Sequence, residues 1–227
     1  MSLDITKSYD FFKPETCQSR IHIIGCGAVG STVAENLVRF GLTKITLYDF
    51  DTVEPHNIAN QMFRGIDIGK TKVEALSEYL KEINPDITRD LKIEPNGYID
   101  QPLAGYVILC VDNIDLRRAI ATRHKSNPYI KAMFDFRIRM TDAQHYAANW
   151  AEPHQVDAFL RSMEFSHEEA KAATPVSACN VELSVVTTIR TIVAMGIQNM
   201  IEHIRSGGEK LKKVMLVDMP TFAIESF

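Results

Sequence analysis

Arg20-Ile21-His22-Ile23-Ile24-Gly25-Cys26-Gly27-Ala28-Val29-Gly30 is the stretch that decides the fold. Its first half is a short, mostly apolar run ending at glycine, as expected of a parallel strand buried on both faces. Its second half is an intact GxGxxG. There the first glycine allows a tight turn, the second lets a phosphate approach the backbone, and the third lets the helix pack on the strand. The first amides of that helix then face an anion. The helix is predicted over Ala28 to Phe40, with Val29, Val33, Leu37 and Phe40 along one face and Gly41 ending it.

Lys44 to Asp49 reads as the second strand. Asp49 stands at its end, about 20 residues past the loop, where a carboxylate can accept from ribose hydroxyls. Gly25, Gly27, Ala28, Gly30 and Asp49 are therefore candidate nucleotide contacts, and these residues alone allow NAD or ATP. Cys26 reads either as a small filler of the loop or as a reactive thiol.

Strand and helix patterns continue to alternate. A helix over Thr71 to Ile83 stops before Asn84-Pro85, and Ile87 to Ile93 reads as a strand. Tyr106 to Val111 is a buried strand, and a helix follows over Ile114 to Ser126. This predicts an α/β, Rossmann-like, doubly wound sheet, parallel in the first half. Ile130 to Arg139 and Ala143 to Trp150 read as two strands about a turn near Thr141-Asp142, an antiparallel extension in the second half. Pro153 to Pro175 is polar, with short helix signals and two prolines, and reads as a crossover loop over the site. Val181 to Arg205 is a long helix, apolar through Leu183, Val186, Ile189, Val193 and Met200, which belongs in the core or at a subunit contact. Leu216-Val217 and Phe222-Ala223-Ile224 close the sheet in this reading. A single domain is expected over 1–227, with an N-terminal extension (1–19), a nucleotide-binding half (20–126) and the remainder at 127–227.

At 45% hydrophobic, 24% charged and a net charge of −4, the chain lacks the basic surplus of a sequence-independent nucleic-acid binder. Lys210, Lys212 and Lys213 read as a solvated helix end. No run approaches the roughly 18 apolar residues of a membrane span. Cys17, Cys26, Cys110 and Cys179 form no CxxC pair, and the histidines show no ligand spacing. A reduced, cytoplasmic setting without structural zinc is expected.

Asp49-Phe50-Asp51-Thr52-Val53 followed by Asn57-Ile58-Ala59-Asn60-Gln61 resembles the D-x-D-x-V…N-L-x-R-Q signature of the ThiF/MoeB/HesA adenylyltransferases, relatives of the ubiquitin-activating enzymes. Gly69-Lys70-Thr71-Lys72-Val73-Glu74-Ala75 resembles their G-x-x-K-[AV]-E-A helix start. Asn84-Pro85 matches the N-P ending, and Asp112-Asn113-Ile114-Asp115-Leu116-Arg117 matches D-N-x-x-x-R. The motifs run in family order from about Ile21 to Arg118.

The resemblance implies ATP with Mg²⁺ as cofactors. It places Asp49 on the ribose, Lys72 on the phosphates, and Asp112 on Mg²⁺ or the pyrophosphate region with Asn113 beside it. Asn57 and Gln61 would line the site. Asp51 and Arg117 read equally as site or structural residues. The implied partner is a small ubiquitin-like or sulfur-carrier protein, or a peptide, with a free C-terminal carboxylate, and the implied assembly is a homodimer.

Two features depart from the pattern. The motif arginine is Asn60 here; losing one donor of this kind costs roughly 10²- to 10³-fold in rate, and Arg64 or an arginine from a second subunit would have to replace it. The family's paired zinc cysteines are also missing. Cys179, ahead of the long helix, reads either as an acyl- or sulfur-capturing thiol or as a buried cysteine. Two rivals stand beside adenylation: a nucleotide-binding scaffold without catalysis, and an NAD(P)-dependent oxidoreductase.

Overall fold

The computed structural model describes residues 3–172 and 184–227. A short helix α1 (Thr6–Tyr9) leads into strand β1 (Ile21–Ile24), helix α2 (Ala28–Arg39) and strand β2 (Ile45–Tyr48). Helix α3 (Lys72–Ile83), strand β3 (Lys92–Glu94), strand β4 (Gly105–Leu109) and helix α4 (Ile114–Arg123) complete the first half. Strands β5 (Ile130–Ile138) and β6 (Asp142–Asn149), helices α5 (Pro153–Arg161), α6 (His167–Ala172) and α7 (Val186–Arg205), and strands β7 (Val214–Asp218) and β8 (Ala223–Ser226) follow.

The eight strands form one sheet in the order β3-β2-β1-β4-β5-β6-β7-β8. The first five are parallel and the last three join antiparallel. Alternation along the strands feeds two apolar layers. Ile21, Ile23, Tyr106 and Ile108 face α2, α3 and α7, while Ile24, Val107 and Leu109 face α4 and α5. The parallel strands are buried at every residue from β1 to β4 except in β3, as their continuous apolar runs require. The N-terminal stretch is part of this packing: Phe12 and Cys17 are buried in the α2-side core.

The helix ends follow local chemistry. Gly41, with φ 84°, closes α2 by donating its N–H to the Val38 carbonyl. Thr71 caps α3 by accepting from the Glu74 N–H at 3.3 Å. Helix α4 stops at Arg123, short of Ser126, where Trp150 Nε1 donates to the His124 carbonyl at 2.7 Å. The long helix lies in the core, packed on α2 and on β5, β6 and β7; Val181 and Leu183 lie outside the described residues.

One expectation changes. Where a strand was predicted over Ile87 to Ile93, Pro85–Arg89 forms a 3₁₀ turn, and β3 starts only at Lys92. Pro85 sits at its first position, and Asn84 Oδ1 accepts from the Asp86 N–H at 3.1 Å, so the local cap wins over the weak strand pattern. The polar stretch after Pro153 carries two helices, α5 and α6, with Val156 and Phe159 buried against α4 and Trp150.

His145 lies fully buried on β6, stacked on Phe134 and close to Phe136. Asn199 Nδ2 approaches its Nε2 at 3.2 Å, and its Nδ1 has no partner among the described residues. Burial pushes this imidazole down to about 4. The unfolded chain therefore takes up a proton near the ordinary value of 6.5 that the folded chain refuses until about 4. Stability is complete above pH 6.5 and falls as pH drops toward 4. The expected outcome is a melting temperature that declines across this window, with a shallower decline in His145→Phe. An equally steep decline in that variant rules out this imidazole as a source.

Candidate nucleotide site

The site forms where chain order reverses in the sheet, between β1 with β2 on one side and β4 on the other. Ile24, Tyr48, Leu109 and Asp135 lie level across the sheet. With strands about 4.8 Å apart, the loops after β2 and β4 stand roughly 10 Å apart on either side of the glycine loop. Open α/β sheets bind ligands in this crevice.

The three glycines differ in what they require. Gly25 has φ 95°, and a Cβ there would lie 2.8 Å from the Cys110 backbone. A Cβ on Gly30 would lie 1.8 Å from the Gly25 carbonyl oxygen. At Gly27 a Cβ would meet nothing within 4 Å. The first and third glycines are therefore fixed by the protein's own packing, and the second faces the open space a phosphate would occupy. Gly27 is also the residue preceding α2, so the helix N-terminus points at that space.

Asp49 clamps the loop. Its Oδ2 accepts from the Cys26 N–H at 2.6 Å and its Oδ1 from the Asp51 N–H at 2.9 Å. Burial pushes its carboxyl up, and the two N–H groups work against that by favouring the anion. Cys26 is fully buried, with its thiol raised well above the ordinary value by burial, which fits a filler and not a nucleophile. Cys110 beneath it is raised to about 12 by burial.

Lys72 opens α3 and pairs with Asp51 at 2.7 Å; its side chain is 10% exposed and that of Asp51 48%. The Lys72 N–H also donates to the Asp51 carbonyl at 2.9 Å, and Thr52 bridges Thr71. Lys72, Asp51 and Thr52, with Phe50, Glu54, His56 and Asn57, line a cavity of about 330 Å³. Asn57 is buried, and its Oδ1 accepts from the Glu54 N–H at 2.9 Å, so it shapes the turn. Gln61 Oε1 is buried with no partner among the described residues.

Asp112 follows the end of β4 and is exposed, with no hydrogen bond or ion pair among the described residues. It lines a second cavity of about 350 Å³ together with Arg137, Ile138, Arg139, Phe165 and Lys171. Asn113 beside it caps α4, its Oδ1 accepting from the Leu116 N–H at 3.0 Å. Arg117 is buried and grips the backbone, with Nε to the Val111 carbonyl at 2.6 Å. Sequence reasoning missed the second-cavity arginines; their trace is the alternation Phe136-Arg137-Ile138-Arg139 at a strand end.

Arg64, expected as a replacement for the missing motif arginine, is paired with two carboxylates. It donates to Asp67 at 2.9 Å and to Glu82 at 2.6 Å. Glu82 is ten residues along α3 from Lys72, about 15 Å at helical rise, so the guanidinium is anchored at the far end of that helix. The Arg64 hydrogen bond holds the buried Asp67 carboxyl down at about 2. Asn60 itself donates to Ser184 Oγ at 2.6 Å. Cys179 lies outside the described residues.

The residues present fit a nucleotide and its cation. The open cradle at Gly27 suits a phosphate, and the exposed carboxylate of Asp112, unpaired among the described residues, suits Mg²⁺, which is commonly held by one or two carboxylates plus substrate phosphates. No cluster of three His, Cys, Asp or Glu suited to a metal occurs among the described residues. Among them, no helix is long and apolar enough to cross a membrane.

A glycine-loop crevice at the reversal point of such a sheet defines a Rossmann-type nucleotide-binding domain. The model described as the ThiF family matches residues 15–227, and the chain belongs to that family. Ubiquitin-like modifier-activating enzyme 5 of Dictyostelium discoideum is 36% identical over 43% of this chain and 30% of its own length. The Xenopus laevis protein of that name is 31% identical over 53% of this chain and 33% of its own. The chain thus spans about a third of the length of these curated relatives. Among solved structures, E. coli MccB with ATP superposes with a TM-score of 0.71 at 17% identity, covering 94% of this chain and 65% of that one. PaaA superposes at 0.70 and 17%, covering 99% and 68%. These structural likenesses show the fold.

Two outcomes are expected from the loop geometry. Gly30→Ala destabilises by at least about 3 kcal/mol, because its methyl meets backbone. Gly27→Ala melts within about 0.5 kcal/mol of wild type, since nothing surrounds the added methyl. Calorimetric melting of both variants checks this, and similar losses in the two would refute it. Arg64→Ala lowers stability by about 1–3 kcal/mol by removing a partner of buried Asp67. Its nucleotide affinity stays at the wild-type value, and a matching loss of affinity would put Arg64 back in the site.

Proposed function

We propose that this chain binds ATP with Mg²⁺ and adenylates a carboxylate. The observation that carries the reading is the open cradle at Gly27, set between the Lys72–Asp51 pair and the free carboxylate of Asp112. Family membership supports it, as do relatives named ubiquitin-like modifier-activating enzyme and a neighbouring fold solved with ATP.

In this reading the α2 N-terminus and the glycine-loop amides receive the phosphates. The Asp49 clamp keeps those amides in place while the ribose lies over it. Lys72 exchanges or shares its Asp51 partner when phosphate arrives and places a positive charge where anionic charge accumulates. Asp112 would hold Mg²⁺, which supplies Lewis-acid stabilisation of the phosphate oxygens. A substrate carboxylate oxygen bonds to the α-phosphorus, the bond to the β-phosphate oxygen breaks, and pyrophosphate leaves with those electrons.

The substrate is the C-terminal carboxylate of a small ubiquitin-like or sulfur-carrier protein, or of a peptide, because a flexible tail can enter a crevice this narrow. A homodimer and a cytoplasmic setting belong to the same reading. Cys179 is either an acceptor of the activated group or a buried thiol.

One observation favours a second reading, a nucleotide-binding scaffold without turnover. The position of the motif arginine is Asn60, which is bonded to Ser184, and Arg64 sits elsewhere. Pyrophosphate–ATP exchange with a panel of peptide carboxylates separates the two. Calorimetric binding of ATP–Mg²⁺ and of NAD⁺ and NADH, on wild type, Asp49→Ala and Asp112→Ala, tests the site. ATP is expected to bind, both substitutions to weaken it about tenfold or more, and exchange to rise above background with an accepted tail. Binding without exchange supports the scaffold, and preferential dinucleotide binding overturns both readings.

A further inference from the structure

We infer that Asp135 is a positioning residue that fixes Asp112 and the cover of the second cavity through two arginines. The inference rests on the nucleotide reading above.

Asp135 lies on β5, level with Leu109 at the end of β4, and its side chain is fully buried. One carboxylate oxygen pairs with Arg117 Nη1, and the other accepts from Arg137 Nε at 2.6 Å. Arg117 passes the grip to the loop. Its Nε donates to the Val111 carbonyl at 2.6 Å, its Nη2 donates to the same oxygen, and its Nη1 also donates to the Phe136 carbonyl at 2.6 Å. Val111 is one peptide from Asp112. Arg137 carries the grip the other way, donating to the Ser162 carbonyl at 2.6 Å and to Ser162 Oγ at 2.9 Å at the end of α5. Its guanidinium lies 4.2 Å over the Tyr146 ring and 5.6 Å from that of Phe165, which lines the same cavity.

A buried ion triad is a poor stability device, because apolar residues of similar volume often do as well. What it supplies is orientation. Asp112 has no side-chain partner of its own among the described residues, so its direction depends on the backbone that Arg117 holds and on the Asn113 cap. Asp135 is buried below this surface and touches no reacting atom in this arrangement.

The test is calorimetric titration of ATP, with Mg²⁺ and with EDTA, into wild type, Asp135→Asn, Asp112→Asn and the double variant. Asp135→Asn is expected to weaken ATP–Mg²⁺ binding about tenfold or more, as losses behind a metal ligand do, and to change ATP binding in EDTA by about twofold at most. In the Asp112→Asn background it is expected to add nothing. Equal losses with and without Mg²⁺, no loss at all, or additive losses in the double variant overturn the inference. If Asp135→Asn does not fold, Arg117→Lys keeps the charge, loses the two-nitrogen grip on Val111, and is held to the same pattern. A wild-type protein that binds no ATP–Mg²⁺ refutes the nucleotide reading and this inference together; wild-type binding with additive losses refutes the inference alone.

Discussion

The hydrogen bond from the Cys26 N–H to the Asp49 carboxylate, at 2.6 Å, is the contact on which the rest of the site depends. Gly25 turns the chain out of β1, its N–H donating to the Tyr48 carbonyl at the end of β2 at 2.8 Å, and Gly30 lets α2 close on it, but neither ties the loop to the turn that follows β2. Asp49 does, and its second oxygen orders the turn at Asp51, whose own carboxylate holds Lys72. One buried anion thus sets the phosphate cradle and the nearest cation together. The anion tolerates burial because two backbone donors stand in for water.

Most cations around the crevice already have carboxylate partners: Lys72 with Asp51, Arg137 with Asp135, Arg139 with Asp142. In the proposed reading an arriving polyphosphate meets a site whose positive charge is pre-paired, so its binding would proceed by exchange of anionic partners. Asp112 is the reverse case: it shares its cavity with Arg137, Arg139 and Lys171 and yet forms no ion pair among the described residues. In the same proposed reading, that asymmetry leaves Asp112 for a divalent cation and the Lys72 side for phosphate.

The parallel half was legible because its strands are buried on both faces and so read as unbroken apolar runs, as in Tyr106 to Leu109. The glycine loop was legible because two of its glycines answer to the chain's own backbone, a constraint that no ligand needs to reveal. Ile87 to Ile93 misled because Ile87, Leu91 and Ile93 give a weak strand pattern, whereas Asn84 and Pro85 just upstream start a capped turn that runs into it. Arg64 was chosen for its closeness in sequence to Gln61, which says nothing about direction; in the fold its partners, Asp67 and Glu82, turn it along α3. Asp135 was hidden for the opposite reason. A charged residue between Phe134 and Phe136 resembles the solvent side of an alternating strand, and only the sheet's layering shows that both faces there are covered.

The mixed sheet also has a temporal side. Ile138 pairs with Ala143 across a tight turn, and β7 pairs with β8 almost as locally. Ile21 of β1, by contrast, meets Tyr106 of β4 only after about 80 intervening residues have been gathered in. Local hairpins close within microseconds, whereas distant parallel pairings bear the loop-closure entropy before any contact rewards it. The two hairpins of the antiparallel half are therefore built to close early, whereas β6 with β7, across the long helix, and the central parallel pairing are late, slow steps. The nucleotide crevice straddles that parallel seam, so the pocket comes into existence only when folding is nearly done.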